Sequence, residues 1–342
     1  MGNSGGFWLT HVREIEEFLK TVRKGAVKEL CRSAGGRPVY SISYGEKRII
    51  KRTANYASAM AAGRPEAFFG DTNGRTRSIV ILAAVHGMEI ENTVGALNLA
   101  SVIETGQDLA GNPRPAIAEA AQNLRIVIVP LVNPDGRERV GLDDLIGVSD
   151  ADQPFYCQGR YADGTVMSHP DCKRLHPMPL DVQYLGGYYN DDGVNIQSDT
   201  EFNAPLARET KALLDLVVSE TPEAVANMHS CGLGPFMIYS GLSVPPAYEI
   251  RMAQIAGVLS RKFAERGLRP CPPYRYKPNE GGFTLDSMFH FLTGSLPILC
   301  EGPHGLSSNP YTREEILEVQ MTFHEMFLTT LAQEGLRPPL PF

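Results

Sequence analysis

No apolar run in this 342-residue chain approaches the length of a membrane span, about 20 residues, so no transmembrane segment is expected. There is no excess of basic charge either. A net charge of −7 argues against nucleic acid or an anionic membrane surface as the main partner. The N-terminal stretch, MGNSGGFWLTHVREIEEF, lacks a basic segment followed by an apolar one, so no signal peptide is expected. Gly6 stands where an acylation signal needs Ser or Thr. The six cysteines, Cys31, Cys157, Cys172, Cys231, Cys271 and Cys300, include no C-x-x-C pair, which argues against a thiolate metal site. They read as reduced thiols, and the expected location is the cytoplasm. Cys157 and Cys172 share one irregular segment and have a pairing option only if the chain is exported. Internal repeats and low-complexity tracts are absent, and nothing in the pattern speaks to oligomeric state.

What is present centres on Ile79–Glu91, reading IVILAAVHGMEIE. The unbroken apolar run from Ile79 to Val85 predicts a strand buried on both faces of a parallel or mixed sheet. His86, Gly87, Met88 and Glu89 follow, and then a helical pattern carried by Ile90, Val94, Leu97 and Leu99. An imidazole and a carboxylate therefore sit where a strand gives way to a helix, which in open α/β sheets is the ligand-binding edge. Gly87 permits a turn sharp enough to bring both side chains to one point. His-x-x-Glu alone is too short to be decisive, since short patterns recur by chance.

Elsewhere the pattern predicts an amphipathic helix over residues 7–30 (Val12, Ile15, Leu19, Val22). The first 35 residues are read as a helical extension packed on a single domain spanning 36–342. Val39–Tyr44 alternates, and Gly45-Glu46 suggests a hairpin into Ile49 and Ile50. Leu124–Val132 predicts a second buried strand, closed by Asn133-Pro134-Asp135-Gly136. Residues 137–192 are rich in Gly, Pro, Asp and Tyr; a loop so long is functional or a lid, and is expected to wall a pocket. Helices are expected at 203–219, 247–266, 285–292 and 312–333, with strands at Ala224–Met228, Phe236–Tyr239 and Leu296–Cys300. This alternation predicts an α/β fold with a mixed, largely parallel sheet flanked by helices.

Three polar sets then share one position in the pattern, directly after a buried strand: His86 with Glu89, His229, and Glu301. Two histidines and a glutamate form a catalytic zinc set that leaves a fourth position for water or substrate. A zinc so held lowers the pKa of its water to about 7. A carboxylate beside that water, off the metal, takes its proton and passes it to the leaving amine. Glu301 fits that role, since a charge at the end of a buried strand needs a partner. A single histidine after a strand is more often structural. His169, His176, His290, His304 and His324 read as loop or helix-surface residues and are not assigned to metal.

The chain resembles the zinc carboxypeptidases of the carboxypeptidase A type. HGME at 86–89, NPDG at 133–136, NMHSCG at 227–232, GGFTLD at 281–286 and LPILCEGPHG at 296–305 appear in that family's order. The resemblance implies a sheet of about eight strands, one Zn2+, and hydrolysis of an amide bond. It implies His86, Glu89 and His229 as ligands and Glu301 as general base. It further suggests Tyr274 or Tyr276 as the tyrosine that covers the substrate, and Ser230 as a binding residue. An arginine that stabilises the oxyanion is expected at Arg137 or Arg139, with Arg160 and Arg174 as alternatives.

Two departures bear on substrate. The family's Asp-x-Asn-Arg segment grips a terminal carboxylate; here GVNIQSD places Gln197 and Ser198 at the Asn-Arg positions. An amide and a hydroxyl do not replace a bidentate guanidinium. Asn195 stands where an aspartate orients the first histidine, so its carbonyl orients His86 without the charge that raises ligand basicity. Met88 also replaces a basic contact found in some members. The expected function is zinc-dependent hydrolysis of a peptide or N-acyl amino acid with altered carboxylate recognition. The alternative is a zinc-containing binding protein of the same fold that no longer turns over.

Overall fold

The structure is a computed structural model that describes residues 6–70, 76–200, 206–232, 236–238, 243–272, 274 and 283–338. The strands are β1 (Ala26–Arg32), β2 (Pro38–Tyr44), β3 (Arg77–Ala83), β4 (Leu124–Val129), β5 (Gly159–Arg160), β6 (Tyr184–Leu185), β7 (Ala224–Cys231), β8 (Met237–Ile238) and β9 (Leu296–Pro303). The helices begin with α1 (Val12–Leu19), α2 (Tyr56–Ala61), α3 (Glu66–Phe69), α4 (Glu91–Thr105), α5 (Pro115–Ala121), α6 (Pro134–Val140) and α7 (Gln153–Cys157). They continue with α8 (Arg208–Glu220), α9 (Pro246–Glu265), α10 (Leu285–Thr293) and α11 (Arg313–Gln333).

Among the described residues the main sheet has seven strands, in the order β1-β2-β4-β3-β7-β9-β8, close to the expected number of about eight. Its parallel part is the central block β4-β3-β7-β9. Antiparallel strands close both edges. β5 and β6 pair separately within the long 137–192 segment.

The apolar run of β3 is explained by burial on two sides. Ile79, Ile81 and Ala83 enter one core cluster with α1, α4, α5, α9 and α11. Val80 and Leu82 enter the other, with Leu213 and Val217 of α8 and Leu285 and Phe289 of α10. Helices thus cover both faces, and the ends of the parallel strands converge on one edge.

Two sequence expectations need correction. The first helix ends at Leu19, and Ala26–Arg32 is an edge strand rather than helix. Five of the seven β1 residues are exposed, so its sequence carries little apolar signature to betray it. β1 joins the main sheet, and Trp8, Ile15 and Phe18 pack into the main core. The hairpin partner of β2 is β1, and Ile49 and Ile50 lie outside any strand.

The turn after β3 is locked by close backbone contact. Val132 N–H and Asn133 N–H donate to the carbonyls of Ala83 and Ala84 at 3.0 Å each. Gly87 N–H donates to Gly187 O at 2.7 Å. A Cβ on Gly87 would meet Arg137 N at 2.2 Å and Gly136 C at 2.5 Å. The His86 turn, the NPDG turn and the Gly186-Gly187 turn therefore interlock through glycines. Gly87→Ala is expected to destabilise the fold by about 2 kcal/mol or more, read as a drop of several degrees in Tm by calorimetry. An unchanged Tm would show that this approach has slack.

Candidate metal centre and active site

His86 and Glu89 come from the turn after β3, and His229 from near the end of β7. Their ligand atoms all lie within 4.8 Å of one another, and all three residues are buried. His86 Nδ1 is 2.7 Å from Glu89 Oε1 and 3.2 Å from His229 Nδ1. His229 Nδ1 is 2.8 Å from Glu89 Oε2.

Asn195 decides the protonation of His86. Its Oδ1 lies 3.1 Å from His86 Nε2 and also accepts from Gln197 N–H at 3.1 Å. An amide oxygen only accepts, so His86 Nε2 carries the proton and its Nδ1 presents a lone pair. That lone pair faces a carboxylate oxygen at 2.7 Å, and two acceptors at that distance need a cation between them. Two nitrogens on one tetrahedral zinc, at 2.0–2.1 Å each, stand about 3.3 Å apart. The 3.2 Å between the two imidazole nitrogens fits that edge. The donor set, two imidazoles and one carboxylate, is that of a catalytic zinc site.

Charges within the cluster are strongly coupled. Burial opposes a charged His229, yet Glu89 outweighs it and pushes the pKa up to about 9. Burial alone would raise Glu89, but the two imidazoles hold it well below the ordinary carboxylate range. Glu301 lies on β9 in direct register with His229 on β7, so its side chain shares the face of that ligand. Burial, and then the like charge of Glu89, push Glu301 up to about 8. One of its oxygens is buried without a partner. His229 and Glu301 lie inside their strands, near the ends, rather than after them.

The structure separates the remaining sequence candidates. The Ser230 side chain points to the opposite face of β7, where its Oγ accepts from Asn92 Nδ2 at 3.0 Å. The buried guanidinium of Arg137 donates to Leu142 O, and burial pushes its pKa down to about 10. Arg139 donates to Gly186 O at 2.9 Å and Tyr189 O at 3.0 Å, and it pairs with Asp191. Both arginines hold the long segment together, and no hydrogen bond of theirs reaches the metal cluster. Arg160 lies over the Phe155 ring and Arg174 over Tyr161. The Tyr274 hydroxyl donates to Glu249 of α9. Tyr276 lies outside the described residues.

Gln197 is also engaged. Its Nε2 donates to Asp286 Oδ2 at 2.6 Å, and its Oε1 accepts from Asn227 Nδ2 at 2.9 Å. Ser198 is partly exposed in a short 3₁₀ turn, Ile196–Ser198, with no side-chain hydrogen bond among the described residues.

Some neighbours were missed by sequence reading. Tyr188 stacks on the His86 ring, with centroids 3.8 Å apart and planes at 12°. His304 is fully buried, with Nδ1 3.2 Å from Glu91 Oε1. His290 and His324 are buried as well, so all three depart from the surface reading. His304 carried a usable signal, because it follows the same apolar strand that singled out Glu301. Tyr188 carried none, since its place depends on how the long segment folds back. All six cysteines are free thiols; Cys157 and Cys172 sit in separate clusters.

The Glu301 shift has a stability consequence. A carboxyl raised from 4.5 to about 8 in the folded state opposes folding once the unfolded chain ionises. The penalty is absent below about pH 4.5, grows as pH rises to about 8, and is constant above. In metal-free protein Glu301→Gln is expected to raise Tm, with a gain that widens over that window. A gain independent of pH would contradict the assignment.

The family profile described as zinc carboxypeptidase matches residues 16–281. No curated protein matches the chain in sequence. A metallo-carboxypeptidase from Burkholderia cenocepacia superposes with TM-score 0.57 at 15% identity, covering 93% of this chain and 68% of that one. Thrombin activatable fibrinolysis inhibitor superposes with TM-score 0.56 at 14% identity, covering 98% and 76%. Carboxypeptidase A from Helicoverpa armigera gives TM-score 0.52 at 13% identity, covering 95% and 74%. At such identities these superpositions speak to the fold, and it is the profile match over most of the length that speaks to family. With the donor set of His86, Glu89 and His229 at its sheet edge, the chain belongs to the zinc carboxypeptidase family of peptide hydrolases.

Proposed function

We propose that the chain hydrolyses an amide bond in a peptide or N-acyl amino acid, with Glu301 as general base and His86, Glu89 and His229 holding the zinc. The observation that carries this reading is the register of β7 against β9, which sets Glu301 beside His229 on one face. Zinc, when bound there, supplies a Lewis acid for the carbonyl and an acidified water. The raised pKa of Glu301 suits a group that accepts a proton near neutral pH and returns it to the leaving amine. Asn195 holds the His86 ring and its tautomer.

Recognition of the substrate's end is non-standard in this reading. Gln197 and Ser198 occupy the places of the Asn-Arg pair, and the Gln197 amide is tied to Asp286 and Asn227. A buried carboxylate beside that position disfavours a second one. The substrate is held instead by contacts that do not require a terminal carboxylate.

Three outcomes follow. Zinc-loaded protein is expected to hold one zinc per chain by elemental analysis. Glu301→Gln should keep that zinc while kcat falls about 10²–10⁴-fold; full activity in this variant would remove the proposed base. Matched substrates ending in a carboxylate or a carboxamide should differ less than about tenfold in kcat/KM, because no bidentate arginine rewards the free acid. A preference of several orders for the free acid would show a carboxylate clamp.

A further inference from the structure

Amide hydrolysis at this centre needs a donor to the carbonyl oxygen as negative charge grows on it. The arginines that sequence reading nominated are engaged elsewhere: Arg137 on Leu142 O, Arg139 on Gly186 O, Tyr189 O and Asp191, Arg160 over Phe155, and Arg174 over Tyr161. One side chain that rests directly on the metal cluster has a donor with no partner among the described residues. Tyr188 lies flat on the His86 ring at 3.8 Å. Its backbone is pinned by Tyr188 N–H donating to Cys157 O at 2.9 Å. Its ring is packed between two small clusters, one containing Met88 and Leu306 and the other Cys172 and Tyr189. The side chain remains partly exposed, and its hydroxyl makes no hydrogen bond among the described residues.

The hydroxyl also sits in the field of the site. Burial acts on it first, and the carboxylates of Glu89 and Glu301 are among the charges it feels. A phenol is a neutral donor at physiological pH, so it adds no charge that would compete with the metal for Glu89. A ring held by stacking and by a pinned backbone is fixed before substrate arrives, which is what makes a donor effective in a transition state.

We infer that Tyr188 is a catalytic residue of this centre, its hydroxyl donating a hydrogen bond to the scissile carbonyl oxygen in the place where an arginine was expected. The inference rests on the hydrolytic reading above. In the ground state the carbonyl is a modest acceptor. As the tetrahedral centre forms, its oxygen gains charge and the hydrogen bond strengthens. No proton changes hands at Tyr188, since Glu301 handles the proton. The hydroxyl therefore affects turnover more than substrate affinity.

The test is Tyr188→Phe, which keeps the stacked ring and removes only the oxygen. Zinc content and Tm are measured first and are expected to match wild type. With an amide substrate cleaved by wild type, kcat should fall about 10²–10³-fold while KM stays within about twofold. Calorimetric affinity for a phosphonate mimic of the tetrahedral oxyanion should weaken by about tenfold or more, while affinity for the cleaved product is unchanged. Full kcat and full phosphonate affinity in Tyr188→Phe would overturn the assignment. So would a loss that follows zinc content, or an equal loss in Lys173→Met, since Lys173 is the lysine among the groups in the field of Glu301. Wild type that cleaves no amide would overturn the hydrolytic reading itself, a result distinct from a wild type that cleaves and a variant that cleaves equally well.

Discussion

Two buried imidazoles and a carboxylate face one another at the edge of a sheet, and that confrontation organises the rest of the molecule. His86 Nδ1, Glu89 and His229 Nδ1 stand at hydrogen-bonding distances, yet Asn195 has already taken the only proton that His86 carries. Lone pairs held this close are repulsive without a cation. The fold keeps them there by rigid means: a both-face-buried β3, a glycine turn with no room for a methyl group, and a parallel β7 in fixed register with β3. A site held so firmly is paid for by the core beneath it.

The same edge carries the two groups proposed to act on substrate. Glu301 arrives by strand register, and Tyr188 by stacking on a ligand. These two routes differ in kind. Register is a property of backbone pairing, and it places a side chain on a face with little freedom. Stacking of a residue from a long irregular segment depends on that segment's own packing, here Met167, Cys172, Met178 and Tyr189 around one small cluster. Arg139 contributes to that packing by tying Gly186, Tyr189 and Asp191 together. A residue nominated for chemistry thus serves the wall of the site.

A connected polar group surrounds Gln197. Gln197, Asn227 and Asp286 hydrogen-bond to one another in the interior, with Asp286 held above its ordinary pKa by burial. Asn227 lies two residues before His229 on the same face of β7, so this group forms the floor beneath the ligand. A floor of amides and one acid is chemically unlike a guanidinium clamp. It is the structural basis of the altered substrate-end recognition proposed above.

Much of the fold and the metal centre was legible in the residues alone. Unbroken apolar runs at Ile79–Val85 and Leu296–Cys300 report strands buried on both faces, because burial leaves no room for polar residues. His86, Glu89, His229 and Glu301 were legible because a charge at the end of such a run needs a partner. Exposed β1 was not legible, since an edge strand with one face in water carries little apolar pattern. The positions of Ser230, Arg137, Arg139 and Tyr188 were decided only by tertiary structure. A sequence motif names residue types near a site, but which way a side chain turns depends on strand pleat, turn geometry and the competing hydrogen bonds that distant segments offer once packed.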